Sequence, residues 1–361
     1  MAPVASFRVT LEPSGHGFTT DGSDTILQAA LDAGLTLPYG CRNGACGACK
    51  GKVREGLVDH GQAQDTALST ADRAAGMTLF CCARPLSDLV LESREVGTAT
   101  DIPVKIMPCR VQKIARLADD VIVLSLKLPA NERLQFLAGQ YVEFLLKDGK
   151  RRAFSIANAP HDDGFLQLHV RLIAGGEFTG HVFGAMKEKD ILRFQGPYGS
   201  FFLREESTKP MILVAGGTGF APIKALVEHA IHNRIGRPMA VYWGARNRGG
   251  LYLPDLPDAW AAAHDNVRYL PVLSDATPQD QWNGRRGLVH RAVLEDHADL
   301  SAYQVYACGA PAMIDAARAE FIAHGLPPDE FFADAFSFMS PSLAAGTVSP
   351  DVPVAAETAP T

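Results

Sequence analysis

Apolar and polar residues alternate over Phe7-Arg8-Val9-Thr10-Leu11, the period of a half-buried strand. A helical period over Thr25–Ala33 follows, with Ser23 or Asp24 placed to cap its start and Gly34 to stop it. Gly51–Arg54 and Asp88–Glu92 read as further strands, and the polar stretch Ser93–Asp101 as a linker. From Val104 to about Leu203 the chain shows strands and turn signals but little helix. Val121–Leu128 and Gly139–Leu146 are two of the strands, and Leu166, Leu168, Val170 and Leu172 share one face of another. This pattern predicts a small antiparallel barrel. Beyond Pro210 the period changes again. The apolar run Met211–Ala215 enters a glycine-rich turn and then a helix, Ile223–Ile231, and further strands are expected at Met239–Gly244, Val267–Leu273 and Tyr303–Ala307. Strand alternating with helix predicts a doubly wound parallel sheet. Ser340–Thr361 is rich in Ala, Pro, Ser and Thr, lacks aromatics, and is expected to be a disordered tail. The expected division is therefore 1–92, a linker at 93–103, 104–205, 206–339, and the tail 340–361.

The run Tyr39–Lys50 holds Cys41, Cys46 and Cys49 in C-x4-C-x2-C spacing, with Cys81 and Cys82 downstream. That spacing is the one used by a plant-type [2Fe–2S] cluster. Gly40, Gly44 and Gly47 suit a tight loop whose N–H groups point at sulfur. A zinc site would show two short C-x2-C pairs, and one is present. The cysteine total of seven is odd and the first residues lack a basic-then-apolar leader, which argues against a disulfide framework. The candidate ligands are Cys41, Cys46, Cys49 and a fourth, Cys81 or its neighbour Cys82. The chemistry they point to is electron transfer.

Two further constellations carry chemistry. Arg151–Asn158 places Arg152, Phe154 and Ser155 on one strand, which by itself is also what a basic rim beside a core Phe looks like. Downstream, a strand through Arg171 passes Gly175 and Gly176 into a helix start with Thr179, and a helix N-terminus is a ready seat for a pyrophosphate. Together these stretches read as a flavin cradle. The turn Gly216-Gly217-Thr218-Gly219, with Pro222 in the first helical turn, lets a dinucleotide backbone approach the end of a parallel strand. Such turns also occur for packing alone. The last strand ends in Cys308-Gly309-Ala310-Pro311, and Ala245–Gly250 carries Arg246 and Arg248 and no acidic residue where the adenosine ribose is expected. Read alone, that arrangement leans towards a 2′-phosphate.

A length of 361 residues and 47% hydrophobic content fit two or three domains with separate cores. No apolar run approaches the ~18 residues a membrane span needs. A net charge of −6 supplies no basic field for nucleic acid. The expectation is a cytoplasmic protein without nucleic-acid or membrane partners.

Thr78-Leu79-Phe80-Cys81-Cys82-Ala83-Arg84-Pro85 resembles the leucine-x-cysteine-glutamine-alanine-x-proline stretch of chloroplast-type ferredoxins, an alignment that makes Cys81 the ligand and puts Cys82 at the glutamine position. The order of the three parts resembles the ferredoxin–NAD(P)H reductase superfamily with an N-terminal plant-type ferredoxin. Cys41–Val53, Val58–Gly61, Ser155–His161, Gly196–Phe202 and Gly217–Lys224 are similar to the CDP-6-deoxy-Δ3,4-glucoseen reductase-like group and to bacterial oxygenase reductase components.

The resemblance covers Phe7 to Met339 and implies a multidomain α+β protein: a β-grasp [2Fe–2S] ferredoxin domain, an antiparallel β-barrel FAD domain and a doubly wound parallel α/β NAD(P)-binding domain. It implies Cys308, with Gly309, beside the nicotinamide, Ser155 facing the flavin, and Arg152 on the FAD phosphates with Gly176 and Thr179. Phe154 stands where the family usually stacks a Tyr on the flavin, and Phe336 and Phe338 lie where a shielding group is expected. Electrons would pass from NADH, with NADPH usable, through FAD and the cluster to a partner oxygenase or sugar-nucleotide dehydrase at an exposed edge around Arg42, Asn43 and Ala45. The other class considered is a redox sensor of the nicotinamide pool, which rapid reduction of cytochrome c would argue against.

Overall fold

The computed structural model describes residues 6–93 and 102–336. Most of the expected linker, and the expected tail with Phe338, lie outside the described residues. The chain begins with β1 (Phe7–Glu12), β2 (Gly17–Thr20), α1 (Ile26–Asp32), β3 (Lys50–Glu55), β4 (Val58–Asp59), α2 (Thr70–Ala74), β5 (Met77–Leu79), β6 (Arg84–Pro85) and β7 (Leu89–Glu92). Five of these strands form a sheet in the order β2-β1-β7-β3-β5, with β1 and β7 parallel. Helix α1 lays Ile26, Leu27, Ala29 and Ala30 on this sheet, closing a core with Val9, Leu11, Phe80 and Leu91. This is the β-grasp arrangement. The cap of α1 is Thr25, whose hydroxyl accepts the Gln28 N–H at 3.2 Å, rather than Ser23 or Asp24. Ser23 is instead drawn back onto the Asp21 carboxylate.

The second unit contains β8 (Lys105–Ala118), β9 (Val121–Lys127), β10 (Tyr141–Leu145), β11 (Arg151–Ser155), β12 (Leu166–Arg171), α3 (Glu177–Gly184) and β13 (Ile191–Tyr198). Its antiparallel sheet runs β11-β10-β13-β8-β9-β12, and a bridge between Ile156 and Leu168 joins the two ends into a barrel. Leu166, Leu168 and Val170 face the barrel core, but Leu172 lies past the end of β12 and is 40% exposed, so the shared face stops at Val170. On the opposite face of β12, His169 and Arg171 meet the third unit.

That third unit comprises β14 (Met211–Gly216), α4 (Phe220–His232), β15 (Met239–Ala245), α5 (Asp255–Ala263), β16 (Val267–Leu273), β17 (Arg285–Arg286), α6 (Val289–Asp296), β18 (Gln304–Gly309), α7 (Pro311–Ala323) and β19 (Phe331–Ala335). All its strands are parallel, in the order β17-β16-β15-β14-β18-β19. Along β14, Met211, Leu213 and Ala215 join the core under α4 and α5, while Ile212 and Val214 join the one under α6 and α7. Helices on both faces explain why β14 is continuously apolar. Each large side chain so buried contributes roughly 1.5–3 kcal/mol. From β14 the chain builds outwards in one direction to β15 and later returns on the other side as β18. A crevice opens at the strand ends where the order reverses.

Candidate electron-transfer site

The cysteines lie in two adjacent pairs, Cys41 with Cys46 and Cys49 with Cys81. Cys41 and Cys81 are drawn below the ordinary thiol range because the S–H groups of Cys46 and Cys49 donate to them. The donors are held protonated by the same bonds and by burial. The Cys41 N–H also donates to Cys46 Sγ at 3.4 Å, and the Gly44 N–H to Cys81. Among the described residues no three His, Cys, Asp or Glu side chains converge to hold a single metal ion. Two neighbouring thiol pairs under backbone N–H groups fit a two-iron centre. Gly40 matters here, because a Cβ on it would press on Cys46 Sγ at 3.2 Å.

The loop bearing Cys41 and Cys46 is wedged where the three units meet. Tyr141 donates its hydroxyl to Gly40 O at 2.6 Å. Ser200 Oγ accepts the Tyr39 N–H and donates to Tyr39 O, both at 2.9 Å. The guanidinium of Arg42 lies 4.4 Å over the Tyr198 ring and donates to Gln28 Oε1. Cys46 packs on the core under α6 and α7, and Asp334 of β19 faces Gly40. Of the expected open edge, Ala45 and Asn43 Oδ1 are buried, while Arg42, stacked on the barrel, still lines an opening. That opening is a cleft of about 260 Å³ that reaches Cys81, lined also by Asp24, Thr25, Gln28 and Arg84.

On the barrel, β11 presents Arg152, Phe154 and Ser155 in register with β10. Phe154 is half-buried, its ring 5.3 Å from Phe178 of α3, which brings the α3 start beside β11. Gly176 is the N-cap residue, and Thr179 Oγ1 is tied back to Ile173 and Gly176. The N–H groups of the first turn of α3 remain for an anion, and Arg152 stands on the neighbouring strand. Arg171 is placed differently: it pairs with Asp120 at 2.8 Å and lies against Gly217 of the third unit. These groups fit a flavin pyrophosphate and an apolar ring face.

At the sheet crevice the two glycine turns touch. A Cβ on Gly219 would fall 2.1 Å from Cys308 O, and one on Gly309 3.1 Å from the Gly216 Cα. Gly217 sits at φ +54, and Trp243 Nε1 donates to its carbonyl at 2.9 Å. Thr218 is buried in this turn, and Pro222 is the third residue of α4, where its missing N–H costs nothing. Cys308 is fully buried, and burial pushes its thiol up. The Phe336 N–H donates to Gly309 O. Near Arg246 and Arg248 the main chain is tied to two later residues. Asp280 Oδ1 accepts the Arg248 N–H at 2.8 Å while its Oδ2 accepts the N–H and hydroxyl of Thr277, and the Asp275 N–H donates to Arg246 O.

Two residues escaped the sequence reading. Asp334 accepts a bond from Ser155 Oγ at 3.3 Å, and burial pushes its carboxyl up to about 6. A lone carboxylate inside Phe331-Phe332-Ala333-Asp334-Ala335 was the available signal. His169 is buried, its Nδ1 2.8 Å from Tyr252 Oη and its Nε2 without a partner. Burial, with Lys224 nearby, depresses it to about 3.

Paired thiols, a flavin cradle and a nucleotide crevice in one chain define an iron–sulfur flavoprotein oxidoreductase. Residues 9–86 match the 2Fe-2S iron-sulfur cluster binding domain, 108–203 the oxidoreductase FAD-binding domain and 213–319 the oxidoreductase NAD-binding domain. The chain is 44% identical over 333 residues to the CDP-6-deoxy-L-threo-D-glycero-4-hexulose-3-dehydrase reductase of Yersinia pestis, covering 92% of this chain and 98% of that one. It is 38% identical to the reductase component of phenol 2-monooxygenase from Pseudomonas sp. strain CF600, covering 92% and 94%. A crystal structure of an Amycolatopsis cytochrome P450 reductase superposes with a TM-score of 0.74 at 34% identity, covering 91% and 98%. The chain belongs to the ferredoxin–NAD(P)H reductase superfamily, in the branch with an N-terminal plant-type [2Fe–2S] ferredoxin domain. No helix among the described residues is long and apolar enough to cross a membrane.

Proposed function

We propose that this protein is the cytoplasmic reductase component of a system whose terminal partner is an oxygenase or a sugar-nucleotide dehydrase. The observation that carries this reading is the wedged cysteine loop: Gly40, next to Cys41, is bonded by Tyr141 on one side and faces the Ser155–Asp334 pair on the other. The bound cofactors supply two-electron uptake from reduced nicotinamide and one-electron delivery through the cluster. The chain's own residues position them. Cys41, Cys46, Cys49 and Cys81 hold the irons. Arg152, Gly176 and Thr179 seat the flavin phosphates, Phe154 and Ser155 face its ring, and Arg171 braces the barrel against the nucleotide turn. Gly216, Gly217, Thr218, Gly219, Pro222 and Gly309 admit the dinucleotide, Cys308 orients the nicotinamide, and Arg246 meets the ribose end.

The working units are 1–92, 104–205 and 206–339, the first two joined by 93–103. NADH is the better donor and NADPH a usable one, with Arg246 and Arg248 the residues whose contact with a 2′-phosphate would reverse that order. The acceptor meets the cluster at the cleft beside Cys81, the side the other units leave open. Anaerobic addition of NADH tests the reading. It should bleach the flavin absorbance and bring up the electron-paramagnetic-resonance (EPR) signal of the reduced cluster, which is silent when oxidised, and a reduced flavin beside a cluster that stays EPR-silent would refute it.

A further inference from the structure

Cys82 has no place in the four-thiol site, yet it lies beside it. Its Sγ is 3.7 Å from Cys81 Sγ. That spacing is the ligand–ligand edge of a tetrahedral thiolate site with metal–sulfur bonds of about 2.3 Å. Both sulfurs rest on the same glycine: the Gly44 N–H donates to Cys81, and a Cβ on Gly44 would fall 2.6 Å from Cys82 Sγ. Cys82 is partly accessible, and its sulfur lies against Gly44 of the cluster loop. Both cysteines follow Leu79 in one turn, with the Cys82 and Ala83 N–H groups bonded to Leu79 O. A change of side-chain rotamer within that turn exchanges the sulfur presented to the loop.

We propose that Cys82 is a reserve ligand for the iron otherwise held by Cys49 and Cys81. The inference rests on the cluster reading above. In the exchange the iron–sulfur bond to Cys81 breaks and one to Cys82 forms, while the Cys82 thiol proton passes to the released Cys81 sulfur. No electron is gained or lost. The other ligands have no such neighbour: Cys109 and Cys308, the remaining cysteines, lie in the barrel core and the sheet crevice.

The test compares alanine variants of the full-length protein by iron and sulfide content, visible circular dichroism and EPR. C81A should retain close to two irons and two sulfides, with spectra shifted from wild type, whereas C81A/C82A, C41A, C46A and C49A should lose the cluster. C81A that binds flavin normally but contains no iron overturns the proposal. A full cluster in C46A would instead overturn the ligand reading itself. Should C81A not fold, iron release to a chelator decides: C82A should lose iron at least threefold faster than wild type, and equal rates overturn the proposal.

Discussion

Replacing Tyr141 by Phe removes one oxygen from the contact that anchors the cysteine loop to the barrel. The Tyr141 side chain is almost fully buried, and its hydroxyl donates to Gly40 O at 2.6 Å. Losing such a bond costs about 0.5–1.5 kcal/mol, and leaving the buried Gly40 carbonyl without a donor raises the cost to about 1–3 kcal/mol. The ring contact with Tyr198, 5.8 Å between centroids, survives the change, as do the Tyr39–Ser200 bonds. At ~2 kcal/mol the ratio of docked to undocked ferredoxin unit falls about 30-fold. NADH-driven reduction of cytochrome c, which draws on the cluster, should drop by up to that factor. Reduction of ferricyanide, which takes electrons from the flavin, should hold. Steady-state rates with both acceptors at one ionic strength decide it. An unchanged ratio of the two activities would show that the Tyr141–Gly40 bond does not govern docking.

Cys46→Ser should yield a protein with normal FAD and no cluster that reduces ferricyanide but not cytochrome c; normal iron by elemental analysis would refute the ligand role. NADH should exceed NADPH in kcat/KM, and an NADPH advantage abolished by Arg246→Ala or Arg248→Ala would reverse the assignment. His169 is depressed to about 3 in the fold and titrates near 6.5 when unfolded, so the unfolded chain alone takes up its proton between those values. Its contribution is therefore intact above pH 6.5 and lost at about 1.4 kcal/mol per pH unit below it. His169→Phe should be less stable at pH 7 but show a shallower acid loss in urea unfolding at pH 7 and pH 5; identical slopes would contradict the burial argument.

The chemistry written in contiguous residues was legible in advance. Cys41–Cys49 stands out by its fixed spacing within one loop, whereas the β11 segment and Gly216–Pro222 each had a packing explanation alone and became informative only in combination. Long strands such as β9 and β16 were also visible, being apolar over several residues. Short elements were not: β2, β5 and α2 have too few residues to show a period, and tertiary pairing makes them. The contacts that join the units were equally hidden. Tyr141 reaches Gly40 across 101 positions, and Ser155 reaches Asp334 across 179. Arg42 reads as an open loop cation until the Tyr198 ring is seen beneath it.

A carrier that presents one face alternately to donor and acceptor must let go of the first before it meets the second, and its linker then limits turnover. Here the cysteine loop is embraced on the Cys41 and Cys46 side, while the cleft beside Cys81 opens away from that embrace. With the acceptor at the proposed cleft, donor and acceptor would be engaged at once. Turnover in such a relay does not depend on the length of the connection between the first two units, and inserting residues there should leave the rate with a saturating partner unchanged.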